Sequence, residues 1–232
     1  MGFLPEAFRT SFRLILSLDR EVYGIVLRSL DFSLWATALA VLVGVPAGFL
    51  VGSRSFRDKS LLITLLNTTM ALPSVIVGLL GYALLSRSAP LGFLDLMFSP
   101  KAVILGEFFL SLPVITNLTI AAVHSVDYRV TLTARTLGAG RIRTAWTVLM
   151  ETKFALMAAI IAGFGRAVSE VGAAVMLGGN IRFSTRTMTT AIALETSKGE
   201  FGFGLALGFF LLLVVFLINI FLYTLQRRGL PR

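Results

Sequence analysis

No cysteine and only one histidine, His124, occur among the 232 residues. Disulfides, thiolate metal centres and a cysteine nucleophile are therefore excluded. A lone imidazole also excludes a multi-histidine metal site, and no serine–histidine–aspartate relay can be built around a histidine at a span end. The GxxxxGKS/T phosphate loop is missing too, so the chain carries no ATP-hydrolysing site of that kind. Charge is scarce: 14% of residues are charged and 56% apolar, where soluble domains average about 25% and about 45–50%. A chain so poor in charge has lipid as its main solvent. The formal net charge of +9 points to loop ends and lipid headgroups rather than nucleic acid, because basic residues on such chains collect at membrane margins.

Crossing the hydrocarbon takes about 20 apolar residues in a helix. Five segments qualify, at 32–52, 61–85, 102–123, 154–179 and 202–225. The expected fold is an all-α integral membrane domain covering 1–232, with five transmembrane helices. Charges at Glu6, Arg9 and Arg13 interrupt the N-terminus, which does not read as a cleavable signal. There Leu4, Phe8, Phe12 and Ile15 recur at helical spacing, opposite Glu6, Arg9, Arg13 and Arg20. That pattern predicts an N-terminal amphipathic helix lying in the interface plane.

The short loop SRSFRDKS and the tail QRRGLPR concentrate positive charge. By the positive-inside rule they place the C-terminus in the cytoplasm and the N-terminus outside. Gly44, Gly48 and Gly52 repeat at four-residue spacing, as do Gly204 and Gly208, which allows close helix approach. Pro46, Pro73 and Pro113 fall inside three consecutive spans, each removing a backbone hydrogen bond and favouring a kink.

The connection 124–153, HSVDYRVTLTARTLGAGRIRTAWTVLMETK, is too long and too helix-prone for a plain turn. A short helix is expected over 130–137, ended by Gly138 in the left-handed conformation. A second follows over 141–151, with Ile142, Trp146 and Leu149 spaced to share a side. The run TARTLGAGRIRTAWTVL resembles the conserved cytoplasmic loop of ABC importer permeases, described as EAA followed three residues later by Gly. The resemblance implies a coupling helix that docks in a groove of a separate ATPase subunit, through Thr133, Ala134, Arg135, Leu137, Gly138, Ala139 and Arg141. Two positions depart from the pattern: Leu132 stands where the glutamate is usual, and Met150 and Glu151 replace the usual Leu-Pro.

Charges deep in a span are functional or paired. Arg166 and Glu170 share a helical face at four-residue spacing. Glu107, on the antiparallel third span, falls at a depth similar to Glu170, so either carboxylate could neutralise Arg166. The three either brace helices or line a gate, and both readings stand at this level; Thr116, Asn117 and Ser169 are polar candidates for the same lining. The stretch GRAVSEVGAAVMLGGNIRFSTRTMTTAIALETSKGEF resembles the tungstate-type branch of these permeases, close to the molybdate permeases. That likeness implies the type I importer permease fold and a homodimer with two ATPases and an extracytoplasmic binding protein. ATP and magnesium would be held by the ATPase, with no cofactor or metal in this chain. The basic residues Arg182 and Arg186, in an outer connection, agree with an anionic cargo. Molybdate is the near alternative. An ion-coupled secondary transporter is the rival class, and five spans do not divide into two equal inverted halves.

Overall fold

A computed structural model describes residues 3–229, with only the backbone given for Phe3, Leu4, Leu222 and the start of the basic tail at 225–229. Met1, Gly2 and the last part of that tail, 230–232, lie outside the described residues. Among the described residues the secondary structure is helical throughout. Helix α1, Phe3–Leu16, is amphipathic and packs on the last helix α11, Phe201–Gly229, through Phe8 and Phe12 against Phe209. Its most buried positions are Ala7 and Ser11, small residues that let the two helices close on each other.

Helix α2 runs Arg20–Gly52, starting well before the expected first span. Asp19 sets that start, its side chain accepting from the backbone N–H groups of Glu21 and Val22. Helix α5, Pro100–His124, opens with Ser99 as cap and Pro100 in the first turn. A side chain at Gly44 would press on Thr116, at Gly48 on Thr119, and at Gly52 on Val123. The partners advance in the same order, so α2 and α5 run parallel with their backbones nearly touching. The expected close approach thus holds along this glycine row. In α11 it holds at Gly204, where a side chain would meet Thr196 Oγ1 at 3.2 Å, and not at Gly208, which has nothing within 4 Å.

Two expected spans are broken. The segment 61–85 is not one helix but α3, Lys59–Met70, and α4, Ser74–Leu85, meeting at 94°. Pro73 lacks the N–H that would continue the helix and pushes Leu72 out of the helical region; its own backbone is extended, at φ −59° and ψ 131°. Pro46 and Pro113 lie inside helices that continue past them. The segment 154–179 likewise divides into α8, Lys153–Val168, and α9, Gly172–Gly178. At 1.5 Å per residue the 16 residues of α8 reach only about 24 Å, short of the roughly 30 Å hydrocarbon. The second halves lie side by side: Gly172 abuts Ser74, Gly78 abuts Ala173, and Gly81 abuts Leu177. Helices α4 and α9 are therefore parallel, with their two breaks at one level.

The connection 180–201, expected as a loop, contains a packed helix α10, Met188–Ser197, with a capping box between Thr187 and Thr190. Met188 and Ala191 join Val22, Ile25, Val168 and Leu207 in the main hydrophobic cluster. Among the described residues three helices, α2, α5 and α11, are long and apolar enough to cross a membrane, and bent pairs raise the number to as many as five.

Candidate functional site

Between α5 and α8 the chain folds into the expected helix–glycine–helix. Helix α6 spans Tyr128–Thr136, capped by Asp127 accepting from Arg129 N–H at 2.8 Å. Gly138 sits at φ +81°. Ala139 N–H donates to the Ala134 carbonyl at 2.9 Å and Gly138 N–H to that of Arg135 at 3.0 Å, the Schellman pair of bonds that closes a helix end. Helix α7, Arg141–Glu151, restarts at once. Its buried residues are Thr144 and Val148, and the one buried residue of α6 is Ala134. Helix α7 then meets α8 at 72°.

What faces outward is unusual for a polar margin. Leu137 is 82% exposed, Ile142 88% and Trp146 64%, with Thr133, Arg135, Arg141 and Arg143 exposed around them. None of these arginines forms an ion pair among the described residues. Leu149, expected on the stripe with Ile142 and Trp146, is half-buried. A stiff knuckle carrying an uncovered apolar and cationic face is suited to seat in a groove of another protein.

The second group lies at the break between α8 and α9. Arg166 Nη1 donates to Glu170 Oε2 at 2.6 Å, and Ala173 N–H donates to Glu170 Oε1 at 2.9 Å. Thr189 Oγ1 donates to the Glu170 carbonyl at 2.5 Å. Glu170 thus ties the end of α8, the start of α9 and the start of α10 together. It does so from the gap between helices, not from the continuous helical face expected for it. Glu107 does not neutralise Arg166. It is buried in α5, forms no ion pair among the described residues, and its Oε2 lacks a hydrogen-bond partner.

Ser169 Oγ donates back to the Gly165 carbonyl, and Thr116 Oγ1 to the Leu112 carbonyl. Asn117 Nδ2 donates to Met70 Sδ at 3.0 Å, linking α5 to the end of α3. Thr116 lines a cavity of about 690 Å³ between α2, α3, α4 and α5, whose other walls include Leu66, Leu80, Leu84 and Phe109. Thr69, also in its wall, spends its hydroxyl on the Leu66 carbonyl. Both wall hydroxyls thus donate to their own helices.

We expect Arg166→Ala to lower the melting temperature of the purified protein by roughly 5–10 °C, because it strands a buried carboxylate. Arg166→Lys should recover part of that loss. An unchanged melting temperature in Arg166→Ala would remove the bracing role.

At the end of the bundle where α2 begins, Arg182 donates twice to Glu21, and this hydrogen bonding holds its guanidinium pKa above the ordinary value. Arg186 lies 3.3 Å from Glu195 and 3.6 Å from Glu21, and Lys198 lies 3.1 Å from Glu195. Arg182 and Arg186, the basic residues that agreed with an anionic cargo, are therefore already paired. Glu21 and Glu195 were not legible as site residues; Glu21 and Arg182 are 161 positions apart, and no local pattern links them.

Residues 44–230 match the family described as binding-protein-dependent transport system inner membrane component. The chain is similar to the tungstate uptake system permease protein of Peptoclostridium acidaminophilum, 38% identical over 97% of this chain and 99% of that one. It is also similar to the tungstate uptake system permease protein of Campylobacter jejuni subsp. jejuni serotype O:2, 36% identical over 98% and 95%. Among solved structures, the inward-facing MetNI methionine ABC transporter shares the fold at a TM-score of 0.70 and 16% identity, over 94% of this chain and 99% of that one.

Proposed function

This chain belongs to the family of binding-protein-dependent transport system inner membrane components, and from that premise we propose that it is the permease subunit of an ATP-driven importer of tungstate. The subunit itself is not catalytic; ATP is hydrolysed by a separate ATPase, which holds ATP and magnesium. The cargo assignment is supported by the two tungstate permeases that match almost the whole chain. The coupling assignment is supported by one observation above the rest: a rigid helix–Gly138–helix that leaves Leu137, Ile142 and Trp146 uncovered among arginines.

In this reading the knuckle of Thr133, Ala134, Arg135, Leu137, Gly138, Ala139 and Arg141 faces the cytoplasm and seats in the ATPase. The protein sits in the inner membrane with its N-terminus outside and C-terminus inside. Closure of the ATPases moves α7, and the 72° joint to α8 carries the motion toward the α8–α9 break, where Glu170 links it to α9 and α10. Because α9 lies along α4, the two broken spans swing together.

The apolar cavity bounded by α2 to α5 is unsuited to the cargo. An oxyanion placed there would lose its hydration and meet no free donor. The path therefore runs between two copies, and this apolar face suits cover by the second copy of a homodimer. An extracytoplasmic binding protein delivers the anion at the opposite end from the knuckle.

Vesicles containing the permease, its ATPase and ATP, with tungstate-loaded binding protein supplied on the binding-protein side, should accumulate tungsten. Accumulation should stop when either the ATPase or the binding protein is left out. Accumulation without the ATPase would overturn the reading in favour of a secondary transporter. Accumulation of molybdate in preference to tungstate would reassign the cargo alone.

A further inference from the structure

Two acidic residues are buried among the described residues, Glu107 and Glu170, each 2% exposed. Glu170 accepts from the Arg166 guanidinium on one oxygen and from the Ala173 N–H on the other. Glu107 has no ion pair among the described residues, and its Oε2 is shut off from solvent without a hydrogen-bond partner. A carboxyl group left so costs free energy, and inside a membrane domain such groups pair or serve transport.

Helix register shows which partner is in reach. Ser111 Oγ donates to the Gly163 carbonyl at 3.0 Å and Ile115 packs on Gly163, so α5 and α8 touch there. Gly106 in turn abuts Ala173, beyond the α8–α9 break, so the two segments run antiparallel. From that contact Glu107 is four residues along α5 and Arg166 three along α8, roughly 6 Å and 4.5 Å toward the same end. The two residues stand at one level. No other cation does. Lys101 and Lys153 lie in the first turns of α5 and α8, and Lys59 meets His124 at the far end of α5. On α2, Phe32 clusters with Val103, which leaves Arg28 a further turn away from Glu107. Helices α4 and α9 carry no charge.

Arg166 therefore has two carboxyl groups in reach and one guanidinium to share. Its side chain is 27% exposed, and it sits two residues before α8 ends at Val168. Moving it from one carboxyl to the other trades one unpaired acid for another, while the Ala173 N–H stays on Glu170. Two arrangements of similar cost are what a reversible switch needs.

We propose that Arg166 exchanges partners during transport, leaving Glu170 for Glu107 when the ATPase closes and returning when it opens. Glu107 is then a positioning residue for the closed state. It holds the end of α8 on α5 once the tie to Glu170 is released. The exchange rests on the transport reading, which supplies the motion of α8.

The test uses the permease–ATPase complex, in detergent for melting curves and in vesicles with the binding protein for uptake. Glu107→Gln should leave the nucleotide-free melting temperature unchanged or higher and lower that of the complex trapped with ATP and vanadate. Its tungstate uptake should fall about tenfold, the loss of one charge-assisted bond in one state only. Glu170→Gln should do the reverse to the two melting temperatures. Glu107→Asp, which keeps a carboxyl group, should recover part of the uptake. Added to Arg166→Gln, Glu107→Gln should lower the trapped melting temperature no further.

Normal uptake in Glu107→Gln, equal losses of stability in both states, or a further loss on top of Arg166→Gln would each overturn the exchange. So would a Glu107→Gln protein that does not fold, because Glu107 stands idle before the ATPase closes. Failure of the transport reading is distinct, since wild-type vesicles would then accumulate no tungstate. Failure of the exchange leaves wild-type uptake intact.

Discussion

Gly138→Val is expected to leave the protein folded in the membrane while ATP-driven uptake falls to background. Gly138 holds φ +81°, where a β-branched residue is a steric outlier and any L-residue pays about 1–2 kcal/mol. An added side chain would touch nothing, since no heavy atom lies within 4 Å of its position. The penalty is therefore confined to the backbone angle, and the chain relieves it by opening the two bonds that close α6. Helix α7 then leaves α6 in a different direction, and the face formed by Leu137, Ile142 and Trp146 no longer presents one rigid surface. ATP hydrolysis by the partner should lose its stimulation by loaded binding protein.

Two companion variants isolate the cause. Gly138→Asn should retain most uptake, because asparagine tolerates the left-handed region. Gly140→Ala should be near wild type, because Gly140 is extended at φ −69° and ψ 173° with open space around it. Stimulation measured in reconstituted vesicles checks all three. Normal coupling in Gly138→Val would show that the sharp turn is dispensable.

The knuckle was legible in the sequence because its determinants are local: a helix-ending glycine, two short amphipathic runs and the spacing between them. The Arg166–Glu170 pair was legible for the same reason, four residues apart. The breaks were not. Pro46, Pro73 and Pro113 read alike in the sequence, yet only Pro73 interrupts its helix. The difference lies in their surroundings: α4 lies against α9 through Gly78 and Gly172, and that contact is formed only in the folded bundle. Helix α10 was hidden in a connection, because Thr190 stands where a capping box read from sequence needs Glu or Gln. The ion cluster of Glu21, Arg182 and Arg186 was hidden more deeply, since its members lie on segments far apart in the chain.

Glycine spacing shows the same limit, and it sets up the second large effect. The pairs Gly44–Gly48 and Gly204–Gly208 are equivalent as sequence, but their surroundings differ. A Cβ at Gly48 would lie 2.6 Å from Thr119 Cβ and 2.7 Å from the Thr116 carbonyl oxygen. The carbonyl is backbone of α5 and cannot rotate away, so the helices must separate along the whole contact that joins α2 to α5. Gly48→Ala should cost about 2–3 kcal/mol and lower the melting temperature by roughly 6–12 °C. Gly48→Leu should yield no monodisperse protein. Gly208→Ala, with nothing within 4 Å, should be neutral or slightly stabilising, since alanine is the better helix former. Size-exclusion profiles and melting curves of the three variants in one detergent check the ranking. If Gly48→Leu proved as stable as wild type, α2 and α5 could not lie at the separation described, and the parallel pair at the centre of this fold would have to be redrawn.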